Sequence, residues 1–416
     1  MFEVVFFLFY LTLPFSFALN PVEGIDLPIA RLFMVLLFIW WFVRISILRT
    51  WKISFPLGFA LFLFWLTWAE LSSVWAIESL WSARKMIFLL NVSLVGLILF
   101  SYHEKGLKKI KEAVIWSSIL VTGVALLEVL LQLVYPIEAV MSMWFEYLNP
   151  FFLGQEFSAA VKDYPSFLVN ILGNTYLRAT GFFPDPHTLS LYLGTTLPLV
   201  FVWQREKSFL RTIIFSLSCL AFVFTFSRGA YIALFGSMVV ATVLFGKDAI
   251  KKYWREALVV GILVATVTFF TPVGARFLSS WSSEDGSRIE RIRLLVEAVE
   301  NIKERPLLGV GVGNYPLLVN PNALERDPIY AHNLYLDIAV EQGLVGLGLF
   351  LLFIGSFLIY GYQEWRRVGG PYQAASFVGV SYFLLHGLFE APLYSYHVMM
   401  IVFFLLSYLA REKSYD

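Results

Sequence analysis

Long apolar runs separated by short polar stretches account for most of the chain. Runs near 2–19, 28–47, 55–74, 86–101, 112–135, 188–204, 212–227, 229–246, 256–273, 334–360, 374–389 and 394–410 are each long enough to cross a membrane as a helix, twelve in all. The pattern predicts an all-α polytopic membrane protein. Two longer segments, 136–187 and 274–333, interrupt it, and both carry apolar residues at helical spacing rather than linker composition. In the second, Ile289, Ile292, Leu295, Val296 and Val299 share one helix face while Arg288, Arg291, Glu297, Glu300 and Lys303 lie largely elsewhere. That predicts an amphipathic helix lying on the membrane or capping the bundle. Pro306 stops it, and Leu307 to Asn314 reads as a glycine-rich turn. In the first segment, Pro165 and the Pro184-Asp185-Pro186 break precede the sixth run. The chain so divides into 1–135 with five spans, 136–187, 188–273 with spans six to nine, 274–333, and 334–416 with the last three spans and a tail.

The short loops give an orientation. Basic residues cluster at Arg49 and Lys52, Lys105 to Lys111, Arg205 to Arg211, Lys247 to Arg255, Arg366 and Arg367, and Arg411 and Lys413. If the spans alternate, every cluster falls on one side, which the positive-inside rule makes cytoplasmic, with both termini inside and the two long segments outside. Composition agrees with a lipid solvent: 59% of residues are hydrophobic and 15% charged, against about 25% charged in an ordinary soluble domain. The 41 Phe, 20 Tyr and 13 Trp collect at the ends of runs, as interfacial anchors do. A net charge of +1 selects no partner, and one cysteine, Cys219, excludes an intrachain disulfide. With no Lys or Arg ahead of the first apolar run, a cleavable signal peptide is poorly supported, and the run reads as a retained span.

Charges that topology does not explain mark the chemistry. Arg228 stands in Phe226-Ser227-Arg228-Gly229, a short turn on the outer side, where an arginine either snorkels and caps carbonyls or holds an anion. The second segment adds Arg276, Arg288, Arg291, Arg293, Arg305 and Arg326, of which most face solvent; Arg288 follows Asp285-Gly286-Ser287 at a predicted helix start. Arg178, ahead of the proline break, is a third candidate. Among the histidines, His103 lies in a basic loop, His187 is a helix-start residue or a site residue, and His386 and His397 read as structural, with Glu390 a candidate partner of His386. His332, followed by Asn333 where the long segment enters the tenth run, is held by a rigid element and reachable from water, as a general base must be. No phosphate-binding glycine loop followed by lysine, no Asp-x-Asp pair on the outer face and no metal-ligand spacing is present, so neither nucleotide, metal nor other cofactor is expected. Nothing points to nucleic acid.

His332-Asn333, then nine residues, then Gly343-Leu344-Val345-Gly346 resembles the signature of the O-antigen ligase family. Ser287-Arg288 opening a helix, Pro306-Leu307-Leu308-Gly309-Val310-Gly311, and the Ser227-Arg228-Gly229 turn look like that family too. The resemblance implies a bacterial inner-membrane transferase with its active site facing the periplasm. It would move a glycan from undecaprenyl diphosphate to the lipid A core of lipopolysaccharide. It also implies catalytic roles for Arg228, Arg288 and His332, with Arg178, Arg291 and Asn333 as substrate-binding candidates. O-antigen polymerases and protein O-oligosaccharyltransferases share much of the signature and the donor. The loop between Arg288 and His332 is compact, which leaves the acceptor open. A rival of another class, a multi-span transporter or flippase, would instead bury charges at mid-span on paired broken helices.

Overall fold

The computed structural model describes residues 1–22, 25–48, 57–102, 104–161, 165–171, 173–204, 209–246, 286–323 and 329–410. Helices stand at eleven of the twelve predicted runs; the ninth, 256–273, lies outside the described residues, as do Arg276, Arg326 and His103. In chain order they are α1 Phe2–Thr12, α2 Ile29–Ile47, α3 Leu57–Leu71, α4 Ser79–Ser101 and α5 Glu104–Leu131. The short α6 Ile137–Ser142, α7 Asn149–Leu153 and α8 Gln155–Val161 follow, then α9 Pro186–Gln204, α10 Phe209–Val223 and α11 Arg228–Gly246. The last are α12 Gly286–Glu304, α13 Tyr315–Val319, α14 Leu334–Val368, α15 Pro371–His386 and α16 Tyr396–Leu409.

Six helices, α2, α3 with its trailing turn to Trp75, α4, α5, α11 and α14, are long and apolar enough to cross a membrane, and α1, α10 and α16 are apolar but shorter. This is a multi-pass membrane protein. Burial sets α16 apart. Every residue of α16 from Tyr396 to Ser407 is buried, so it packs against neighbours all round and carries no lipid-facing stripe. By contrast α2 exposes Leu32, Phe33, Leu36, Ile39 and Val43. Close approach between α9 and α15 depends on Gly194, where an added Cβ would lie 2.1 Å from the Tyr382 ring, and on hydroxyls such as Tyr382, which donates to the Ser190 carbonyl at 2.8 Å. Ser118 and Thr196 bridge α5 and α9 at 2.8 Å.

The structure departs from the predicted pattern in three places. Two antiparallel hairpins, β1 Ala18–Val22 with β2 Ile25–Pro28 and β3 Leu168–Ile171 with β4 Asn174–Leu177, qualify the all-α expectation. Both lie in connections, and the first takes over the end of the run 2–19. Of the two placements predicted for α12, packing of its apolar face on the bundle is not the one seen: Ile289, Ile292, Val296 and Val299 are exposed, while Leu294 and Ala298 on the opposite face are buried against α14. That opposite face also carries Arg291, whose partner lies inside the bundle.

The third departure is a break in α14 at Gly343, which has φ 69° and ψ 178°. Freed backbone groups find partners outside the helix: Val310 N–H donates to Val340 O at 3.0 Å, Gly311 N–H to Glu341 O at 2.8 Å, and the Trp68 indole to Gln342 O at 2.8 Å. Leu344 N–H goes to Pro306 O at 2.7 Å. The glycine-rich turn is thus the plug for the helix break. It fits because a Cβ on Gly309 would lie 2.5 Å from Val340 O, and one on Gly343 would lie 2.0 Å from Leu307 O.

Candidate active site

At one end of the bundle the connection from α15 to α16 folds back on itself, with Phe389 N–H and Glu390 N–H both donating to His386 O at 2.9 and 3.1 Å. This turn delivers the Glu390 carboxylate into the protein, where only 5% of the residue stays exposed. Three cationic or titratable side chains from three elements converge on it. Arg291 of α12 donates from Nη2 to Oε1 at 2.9 Å, and His187 at the start of α9 places Nδ1 3.3 Å from the same oxygen. His332 places Nδ1 3.2 Å from Oε2. Burial alone would raise the Glu390 carboxyl; His187, His332 and Arg291 outweigh it and hold the group well below the usual carboxylate range.

An ionised carboxylate can only accept, so it fixes the proton of His332 on Nδ1 and leaves Nε2 as a lone-pair acceptor. The rest of the loop holds the ring where it is. His332 has φ 50°, a left-handed backbone that a non-glycine residue adopts only when its surroundings impose it. They do so on both sides: Ala331 N–H is captured by Asp337 Oδ1 at 2.8 Å, and Asn333 caps α14, its Oδ1 accepting from Tyr335 and Leu336 N–H at 3.0 and 3.1 Å. Leu334 N–H donates to Gly387 O at 2.7 Å, which ties this loop to the turn that carries Glu390. The Tyr330 ring lies 4.4 Å from the imidazole, and 24% of the His332 side chain remains exposed.

The turn before α11 closes the site from the other side. Phe226, with φ 48°, is the second non-glycine residue in left-handed backbone among the described residues. Beyond it Ser227 Oγ lies 3.1 Å from His187 Nδ1, and Gly229 packs so closely that an added Cβ would lie 2.7 Å from Phe389 Cβ. Arg228 sits between these two residues, half-buried at the first position of α11. Arg178 is 3% exposed and braces this turn from below, donating through Nε to Thr225 O at 2.9 Å and through Nη1 to Ser166 O at 2.7 Å. Arg288 lies in the first turn of α12, one helical turn before Arg291; its side chain lies outside the described residues. Arg293 pairs on the surface with Glu290 and Glu297.

Of the sequence candidates, the structure brings together His332, Asn333, Arg291 and the Arg228 turn, and gives Arg178 the bracing contacts. Asn333 spends its amide on the helix cap and on Leu388 O. Glu390 is not the side-chain partner of His386, as expected from their spacing. The turn after α15 aims Glu390 away, and His386 Nδ1 meets Tyr382 OH at 3.1 Å instead. Sequence reasoning missed Glu390 as the hub, although a signal existed: it is the only acidic residue between Glu364 and Glu412. His187 was left open because Asp185, which accepts from His187 and Thr188 N–H at 2.8 and 2.9 Å, makes it look like an ordinary helix start.

Residues 213–351 match the family model Wzy_C, described as O-antigen ligase. Over that segment, a third of the chain, it is similar to the O-antigen ligase family. The matched stretch spans Arg228, Arg288, Arg291, His332 and Gly343, and leaves His187 and Glu390 outside it. No curated protein sequence matches the chain at a significant level.

Proposed function

We propose that this protein, similar over residues 213–351 to the O-antigen ligase family, transfers a glycan from undecaprenyl diphosphate to the lipid A core of lipopolysaccharide, at the periplasmic face of the bacterial inner membrane. The observation that carries the reading is a part-exposed imidazole whose proton is fixed by a buried, ionised carboxylate, with arginines on two flanking elements. His332 Nε2 takes the proton of an acceptor hydroxyl, and the oxygen attacks the anomeric carbon as the bond to the diphosphate breaks on the opposite face, giving inversion. Glu390 stabilises the imidazolium that forms. Arg228, Arg288 and Arg291 bind the diphosphate and offset the charge that grows on it, with Arg178 holding the Arg228 turn in place. Diphosphate is a good leaving group, so the scheme uses no nucleotide and no metal.

The test is transfer by purified protein from a defined undecaprenyl-diphosphate glycan, with lipid A core, free glycan and protein offered in turn, with and without EDTA. Transfer to lipid A core in EDTA is expected. Transfer only to free glycan would make the protein a polymerase, and transfer only to protein an oligosaccharyltransferase. A strict divalent-ion requirement would overturn the metal-free scheme.

A further inference from the structure

We propose that Arg31 holds the phosphate of a lipid headgroup at a second anion site, separate from the Glu390 cluster. Arg31 lies in the first turn of α2, at the end of the bundle where α16 begins. Its guanidinium stands 5.0 Å from the Phe88 ring centroid and 6.0 Å from that of Tyr396, so aromatic faces of α4 and α16 flank it. Among the described residues no carboxylate pairs with it, and Nε is sealed from solvent without a hydrogen-bond partner. The neighbouring Asn91 donates from Nδ2 to Arg31 O at 3.1 Å, while its Oδ1 is sealed and equally without a partner. Ser395 Oγ, one residue before Tyr396, is in the same condition.

A permanently charged side chain on the first turn of a membrane helix, clamped between rings and lacking a counter-charge, is costly unless an anion completes it. The chemistry that fits is a phosphate, which the guanidinium meets bidentately through its terminal nitrogens. At about 1.5 Å rise per residue, Arg31 sits roughly 3 Å inside the start of α2. The donor and acceptor lipids of the proposed transfer and bulk phospholipid share this chemistry.

Native mass spectrometry of the full chain in neutral detergent separates these sources. Wild type, Arg31→Gln and Arg31→Lys are each titrated with phosphatidylglycerol, undecaprenyl phosphate, lipid A, and diacylglycerol as the phosphate-free control. We expect Arg31→Gln to lower retention of at least one phosphate lipid about tenfold, with Arg31→Lys between it and wild type and diacylglycerol unaffected. The lipid that shows the dependence identifies the source. Equal retention of every phosphate lipid by all three proteins overturns the proposal. Should Arg31→Gln not fold, Arg31→Lys and wild type decide: the same retention in both, or a wild-type melting temperature raised as much by diacylglycerol as by the phosphate lipids, also overturns it. Because the readout is lipid retention, it stands or falls independently of glycan transfer.

Discussion

A buried carboxylate that only accepts hydrogen bonds dictates which nitrogen of His332 is free to accept a proton, so on the proposed mechanism the two residues should fail in different ways. His332→Ala removes the proton acceptor; transfer should fall by roughly 1,000-fold while retention of the carrier lipid stays near wild type, read by single-turnover kinetics and lipid binding on one preparation. Unchanged transfer would end the role assigned to His332. Glu390→Gln keeps the shape but lets the tautomer flip and leaves Arg291 uncompensated, so about 100-fold in kcat should go together with a lower melting temperature. The pH dependence has a definite sign. Glu390 titrates below its ordinary value of 4.5 in the folded protein, so its stabilisation is present above that value and is lost as pH falls through the folded one. The melting difference between wild type and Glu390→Gln should be full at pH 7 and shrink as pH drops below about 4; a constant gap would show that the carboxylate is not ionised in the fold. His332 and the arginines were legible in the sequence because charge is conspicuous among apolar runs. Glu390 was not, because its importance lies in a backbone turn that periodicity does not encode, and because its partners come from residues 58, 99 and 203 positions earlier in the chain.

At the scale of elements, runs of apolar residues were readable to within a few positions, since lipid leaves the backbone little choice but helix. What could not be read was how each helix is interrupted or docked. The run 334–360 looks continuous, yet Gly343 breaks it, and only the distant turn that fills the break makes this tolerable. Gly343→Ala would strain a positive φ and drive a methyl group into Leu307 O, so loss of the folded protein, or a destabilisation of about 2 kcal/mol or more, is expected in detergent melting. A wild-type melt would mean that the break is not present in solution. In α12 hydrophobic spacing marks the stripe with Ile289 and Val296, which stays exposed, whereas the face that packs on α14 carries Arg291, the partner of Glu390.

Across the whole molecule the helices run back and forth between two ends, one carrying the Glu390 cluster, the other Glu3 with Lys109, Lys111 against Tyr372, and Arg367 with Glu364. On the proposed orientation, in a Cys219→Ser background, a cysteine at Glu138 should react with a membrane-impermeant maleimide applied from the periplasmic side. One at Lys108 should react only after lysis. The reverse labelling would invert the topology and with it the side on which transfer occurs. A transporter reading draws on buried charge and a broken helix, both of which exist here. Glu128, however, spends its carboxylate on Thr180 and Gly181 N–H and the Thr180 hydroxyl, and the break in α14 is filled by protein. The central helix α16 has 14 residues, and at about 1.5 Å each it rises only some 21 Å, against a hydrocarbon thickness near 30 Å. Its two ends cannot both reach the levels of the longer helices around it, α5 with 28 residues and α14 with 35. On the proposed function, a recess at the Glu390 end would let a diphosphate on a lipid tail enter sideways from the bilayer without being lifted into water.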